Sequence, residues 1–299
     1  LQTINNPTLP RFLLNRITFK HIGWAIITLK IVLITFLLFT VLPKVKASDI
    51  NLDPTFFEFI LVGFIAQIID GALGMAYGVS CSTLLLNFGV SPRVATAAVH
   101  TAEVFTTGVS GLSHLKFNNL DKKLFFRIVI TGVIGAIIGA YLISDVFDGK
   151  MIKPYISAYL LMLGIVILIK GIRNKKKDEA EVKHAEVLAL AGGFFDAVGG
   201  GGWGPIVTSN IINQGKNPRE TIGTVNTAEF FVTFFSTGVF MFFVGIESWQ
   251  IVLGLIVGGV VAAPLGAIFA SKVDRRFMMI TIGIVIMITS IYTIYKSLS

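Results

Sequence analysis

The chain has 299 residues, 54% of them hydrophobic and 14% charged, with a mean hydropathy of +0.79. Soluble domains run near about 45–50% apolar and about 25% charged, so an ordinary water-soluble enzyme is excluded. Apolar runs of about 20 residues identify instead a polytopic helical membrane protein. The 25 Lys and Arg exceed the 17 Asp and Glu by 8, and because the excess sits mostly in loops between apolar runs it reports topology, not affinity for nucleic acid.

In chain order, a polar and basic segment over 1–20, with Arg11, Arg16 and Lys20, precedes an apolar run over 22–42. That run exceeds the h-region of a signal peptide, about 7–15 residues. A retained helix with a cytoplasmic N-terminus is therefore expected, although Val45-Lys46-Ala47 loosely resembles a cleavage site. Further full-length runs at 94–115, 124–146, 152–169, 221–244, 251–270 and 277–295 bring the expected crossings to seven. Two other apolar regions, 56–88 and 187–212, are interrupted midway by glycines. The most charged stretch, 170–186, reads as a solvated cytoplasmic linker. The expected organisation is thus a tail and extra transmembrane helix (1–50), a first repeat (51–171), the charged linker (172–186) and a second repeat (187–299). By the positive-inside rule the loops 116–123, 170–183 and 272–276 lie inside, and the weakly charged connections 44–53, 145–153 and 245–248 lie outside.

The repeat appears on sliding the sequence on itself by 126 residues. Asp70, Gly74 and Gly78 then meet Asp196, Gly200 and Gly204, and Pro92-Arg93 meets Pro218-Arg219. The register continues without a gap, with Thr101-Ala102-Glu103 meeting Thr227-Ala228-Glu229. From Asp70 to Ser110 there are 14 identities over 41 positions, against roughly three for unrelated segments of this composition. The first unit begins outside and the second inside, so the predicted fold is all-α with two inverted repeats. Each consists of a broken or re-entrant helical hairpin and three transmembrane helices. Irregular backbone at membrane depth is tolerated only where it is buried in protein or lines a cavity, and paired broken helices in corresponding places mark a transporter's binding site.

The candidate residues follow from that repeat. The breaks, Asp70 to Gly78 and Asp196 to Pro205, are rich in glycine, which permits close backbone approach to a ligand. A half-helix starting there offers free N–H groups to an anion. Gly74, Gly78, Gly200, Gly201 and Gly204 are therefore candidate substrate-binding positions, whereas scattered glycines such as Gly132, Gly135 and Gly139 read as close helix packing. His100 and Thr101 in one half, and Asn226 and Thr227 in the other, add donors to an oxyanion. Four carboxylates, Asp70, Glu103, Asp196 and Glu229, stand in apolar surroundings, where a charge costs at least about 2.5–3.5 kcal/mol; they are the candidate ion-coupling groups. The one cysteine, Cys81, excludes an intrachain disulfide and a thiolate cluster within one chain. Four histidines without HExxH or similar spacing give no metal set, and no GxSxG elbow or P-loop is present. No feature calls for a cofactor, a nucleic acid or a soluble partner; the expected partners are a small anion, protons and the bilayer.

On the duplicated Asp/Gly-rich break, short helix, Pro-Arg turn and Thr-Ala-Glu segment, the chain resembles the TauE/SafE family of sulfite exporters and related anion permeases, over roughly residues 57–295. The resemblance implies an inner-membrane permease in which two halves form one path for a small sulfur-containing anion. The first break is poorer in glycine than the family pattern, and His100 stands where a small polar residue is usual. The expected function is export of sulfite or an organosulfonate by alternating access. Two alternatives are proton-coupled uptake of another sulfur compound and an intramembrane enzyme using Asp70 and Asp196 as an aspartyl pair. A non-transporting scaffold is a further one.

Overall fold

The computed structural model describes residues 17–40, 43, 54–73, 75–173, 182–245, 249–272 and 275–298, and among them the regular elements are helices. The extra N-terminal helix is α1 (Phe19–Thr40). The first half follows as α2 (Pro54–Leu73), α3 (Tyr77–Asn87), α4 (Pro92–Lys116), α5 (Lys122–Tyr141, continued by a π turn Leu142–Val146) and α6 (Gly149–Ile172). The second half is α7 (Ala185–Gly199), a π turn Gly204–Thr208 running into α8 (Ser209–Asn213), α9 (Pro218–Phe243), α10 (Trp249–Lys272) and α11 (Arg275–Leu298). Much of the expected linker (174–181), the connection 44–53 and residues 246–248 lie outside the described residues.

Local chemistry sets the helix starts. Pro92 and Pro218 open α4 and α9, where a missing N–H costs nothing. The turns ahead of them bend at Gly89 (φ +91°) and Gly215 (φ +99°), a conformation that glycine alone adopts freely. Asp121 caps α5 by accepting from the Leu124 amide at 3.0 Å, and Asn217 caps α9 by accepting from the Arg219 amide at 2.9 Å.

Among the described residues five helices are long and apolar enough to cross a bilayer: α1, α5 with its π turn, α6 over Met151–Ile172, α9 over Arg219–Phe243 and α11 over Met279–Ser297. Helix α10 is apolar over the shorter stretch Trp249–Ala262. Helix α4 is 25 residues long but carries His100, Glu103, His114 and several Thr and Ser. It can be polar because it occupies the centre, buried from Ala95 to Val104 by its neighbours.

Close-packed pairs build the bundle. Helix α2 lies along α10, with Gly63 against the Leu255 backbone and Gly258 against the Phe64 amide. Helix α5 lies along α7 in the same manner, Gly193 meeting Gly132 and Ala136, Gly135 meeting Leu190 and Phe194, and Gly139 meeting Phe194 and Ala197. In both pairs the chain numbers rise together, so the helices are parallel. Helices α6 and α11 run antiparallel, Gly164 facing Ile286 and Gly171 facing Met279. Helices α4 and α9 do the same: Asn226 donates to Ser110 at 3.1 Å, and His100 sits beside Phe240 with ring centroids 5.4 Å apart. Helix α1 lies antiparallel on α4, Gly23 touching Leu112 and Leu115, and Lys30 reaching the Phe105 carbonyl at 3.4 Å. Without a hydrophobic drive between helices in lipid, small residues that let backbones approach supply the packing.

The ends of several helices converge at one face. Arg127 of α5 forms a two-pronged pair with Glu186 of α7 at 2.6 and 3.0 Å, and Lys216 meets Asp121 at 3.3 Å. The hydrogen bond from Arg127 holds the Glu186 carboxyl below its ordinary range. That pairing contributes above the ordinary carboxylate range and is lost as pH falls through it. The Lys183 amide donates to Gln214 at 2.7 Å, so the chain that enters α7 meets the chain that leaves α8. A Cβ on Gly135 would fall on the Leu190 carbonyl, whereas one on Gly238 meets nothing within 4 Å. Gly135→Leu should therefore cost about 1–3 kcal/mol, seen as a lowered thermal midpoint in detergent, and Gly238→Ala should leave the midpoint unchanged or slightly raised.

Candidate functional site at the paired breaks

The two helix breaks meet in the middle of the bundle. Helix α2 ends at Leu73 and α3 starts at Tyr77 after Ala76 at φ +92°; α7 ends at Gly199 and turns through Gly200 at φ +67°. A Cβ added at Gly78 would stand 2.8 Å from the Gly200 carbonyl oxygen and 3.0 Å from the Gly201 Cα. One at Gly204 would stand 2.8 Å from the Met75 Cβ. Backbone therefore rests on backbone across the two halves, a contact that side chains would hold open.

The last turn of α7 leaves carbonyls without helical partners, and the first half supplies their donors. Ser82 donates to the Gly200 carbonyl at 2.5 Å, Thr96 to the Ala197 carbonyl at 2.9 Å and Tyr159 to the Gly201 carbonyl at 2.9 Å. The Lys170 ammonium donates to the Pro205 carbonyl at 3.1 Å. Tyr159 also stacks on Phe195, centroids 5.4 Å apart and planes 20° apart. Fully buried Trp203 donates from its indole to the Val225 carbonyl at 3.2 Å, fixing the break against α9.

The aspartates hold the far side of each break. Asp196 Oδ1 accepts from the Trp203 amide at 3.0 Å, and Asp70 accepts from the Tyr77 amide. These bonds are related by the 126-residue shift. Each aspartate thus takes one free N–H at the start of the returning half-helix, where a negative charge is favoured. His100 and Glu103 face the second break from one side of α4. The His100 Nε2 lies 3.2 Å from Asp196 Oδ2, with both side chains sealed from solvent, at ion-pair distance but off the line of a hydrogen bond. Its Nδ1 lies 2.9 Å from the Thr96 carbonyl. Glu103 is 3% exposed and is surrounded electrostatically by Asp196, Glu229 and Asp70. Glu229, half-buried on α9, lies within electrostatic reach of Asp196 and Asp70.

Most candidate positions from the sequence therefore meet at one place: Gly78, Gly200, Gly201 and Gly204 at the crossing, and the four carboxylates with His100 around it. Gly74 lies outside the described residues. The Thr101 and Thr227 hydroxyls donate to the carbonyls one turn back, Ala97 and Gly223, each at 2.7 Å, which leaves their oxygens as acceptors. Asn226 bridges α9 to α4 through Ser110. Arg93 ties the start of α4 to the end of α5 through the Ser144 carbonyl at 3.3 Å. Ser82, Thr96, Tyr159, Lys170 and Trp203 were not among the sequence candidates. The polar run Ser80 to Thr83 inside a short apolar helix was the available signal. An apolar crevice of about 470 Å³ between α2, α3 and α11, lined by Ile65, Ser80, Thr83 and Ile286 among others, involves none of the carboxylates.

The sulfite exporter TauE/SafE family profile matches residues 59–293. Among curated proteins, a probable membrane transporter protein of Bacillus subtilis (strain 168), YtnM, is 43% identical over 235 residues, covering 75% of this chain and 78% of its own. A second from the same organism, YunE, is 20% identical over 271 residues, covering 82% of this chain and 99% of its own. No solved structure matches.

Removing the Ser82 hydroxyl would leave the buried Gly200 carbonyl without that donor, a loss of about 1–3 kcal/mol. Ser82→Ala should accordingly lower the thermal midpoint in detergent. Ser113→Ala, which loses an exposed bond along its own helix, should move it by less than about 0.5 kcal/mol equivalent.

Proposed function

The chain belongs to the TauE/SafE sulfite exporter family and is a membrane transporter, not an enzyme, and on that premise we propose that it is a permease exporting a small sulfur-containing anion, sulfite or an organosulfonate. The observation that carries the reading is the meeting of the two breaks, Gly78 on Gly200 and Gly201, with carboxylates of both halves around it. Broken helices at the interface of two repeats are where secondary transporters hold substrate.

The proposed path runs between inverted repeats that rock about this crossing. Several contacts support the inversion. A two-fold axis in the membrane plane makes self-paired helices antiparallel, as α4 with α9 and α6 with α11 are, and exchanges the α2–α10 pair with the α5–α7 pair. The Lys183–Gln214 bond supports a second hairpin that returns to its own side. The antiparallel seat of α1 on α4 puts the start of α1 beside the basic 116–123 loop, which supports a cytoplasmic N-terminus in the cell membrane.

Direction follows from the membrane potential, worth about 2.3 kcal/mol per charge per 100 mV. An inside-negative potential expels an anion, so export requires no second fuel. The runner-up, proton-coupled uptake of another sulfur compound, draws on the Glu103 Oε2 atom, which is buried without a hydrogen-bond partner among the described residues. In it Glu103 and Glu229 carry the coupling proton.

Proteoliposomes should pass sulfite faster than empty liposomes; equal fluxes would remove the substrate assignment, and a panel of thiosulfate, sulfate, taurine and sulfoacetate would then identify the anion. Accumulation driven by an imposed proton gradient would favour the uptake reading, and Glu229→Gln should then abolish the pH dependence of flux. Gly201→Ala, whose Cβ would overlap the Val79 amide, should cut flux at least about ten-fold, because displacements of an ångström at a binding site carry losses of that order.

A further inference from the structure

The contact between His100 and Asp196 poses a chemical problem. A carbonyl oxygen can only accept, so the 2.9 Å approach of His100 Nδ1 to the Thr96 carbonyl puts the ring proton on Nδ1. In a neutral ring Nε2 then carries a lone pair. That lone pair stands 3.2 Å from Asp196 Oδ2, another atom that only accepts when ionised. Both atoms, and Glu103 Oε2, are buried and have no hydrogen-bond partner among the described residues. The exposures of His100, Glu103 and Asp196 are 0%, 3% and 2%. One ligand atom from each of the three side chains falls within 4.8 Å of the others. Electron-rich atoms do not converge at this depth unless a positive charge holds them.

We propose that His100, Glu103 and Asp196 form a site for a divalent first-row transition-metal ion such as Zn²⁺. The His100–Asp196 distance fits this occupant. Two ligands of a tetrahedral Zn²⁺, each at about 2.0–2.1 Å, stand about 3.3 Å apart, and each lone pair aims at the metal, not at the other ligand. A separation of 3.2 Å off the hydrogen-bond line is that arrangement. His100 and Glu103 are three residues apart on α4, a spacing that places both on one face and that carries histidine–carboxylate metal sets in other helical bundles. The bond from Nδ1 to the Thr96 carbonyl supplies the outer-shell partner by which ligating histidines are oriented. Imidazole nitrogen selects against Mg²⁺ and Ca²⁺, which take oxygen. The pseudo-symmetric position in the second half holds Asn226 in place of His100, so the site is single.

The metal would neutralise two carboxylates and leave a coordination position for an oxyanion. This last clause rests on the anion-transport reading; the metal site itself does not. The test uses the full chain purified in detergent, stripped with a chelator and titrated with Zn²⁺, with Co²⁺ as a spectroscopic probe. One equivalent of Zn²⁺ per chain is expected, with a tetrahedral Co²⁺ spectrum and an X-ray absorption shell containing one imidazole nitrogen. His100→Ala and Asp196→Asn should each weaken binding by more than about 100-fold, beyond the 10–100-fold typical of outer-shell changes. Substoichiometric binding, a shell without imidazole, or affinity unchanged in both variants would overturn the site and leave the cluster to protons. The wild-type absorption shell decides the matter should the variants fail to fold. Zn²⁺ bound without anion flux would keep the site and remove the anion-export reading, and flux without Zn²⁺ binding would do the reverse.

Discussion

A hydrocarbon interior offers no water to hydrogen-bond a backbone, so a chain that interrupts its helices at membrane depth must find partners for the freed groups within itself. That requirement organises the centre of this molecule. The carbonyls freed at the end of α7 are taken by Ser82, Thr96 and Tyr159, all from the opposite half. The amides freed at the starts of α3 and of the 204–213 segment are met by Asp70 and Asp196, each at the end of the preceding helix. The two halves are consequently locked to each other by the same irregularity that opens a site.

The charge problem comes from the same geometry. Two aspartates are spent on helix starts, yet Asp196 keeps one oxygen turned toward His100 and Glu103. On the anion path proposed above, the charge of four neighbouring carboxylates would have to be cancelled, by protons or by a bound cation. The two halves answer this unequally, because only one of the equivalent positions carries an imidazole. His100 against Asn226 is thus one of the differences that distinguish the two sides of the crossing.

The rocking of halves proposed above would need interfaces that can slide without exposing polar groups to lipid. The α2–α10 and α5–α7 seams bring glycine against backbone. The clamps on the second break, by contrast, are hydrogen bonds that must be exchanged if the break moves. Tyr159 and Lys170, both on α6, make two of these, so α6 is mechanically coupled to the site although it carries none of the carboxylates.

The helices, their ends and the duplication were legible in the sequence, because apolar run length, Pro and Gly punctuation and a register of 126 residues are local or self-comparing signals. The extents of α4, α5, α6, α9, α10 and α11 fall within a few residues of the apolar runs that announced them. The glycine pairs Gly74/Gly200 and Gly78/Gly204 and the four carboxylates were legible for the same reason, since each repeats. What only the tertiary structure decided is which half serves which. Ser82, Thr96 and Tyr159 look like ordinary helix residues until α7 is laid beside them, and His100 and Asp196 are 96 residues apart. Spacing along a chain carries no information on such pairs, because the close approach of two backbones depends on the packing of whole helices and not on any short stretch of sequence.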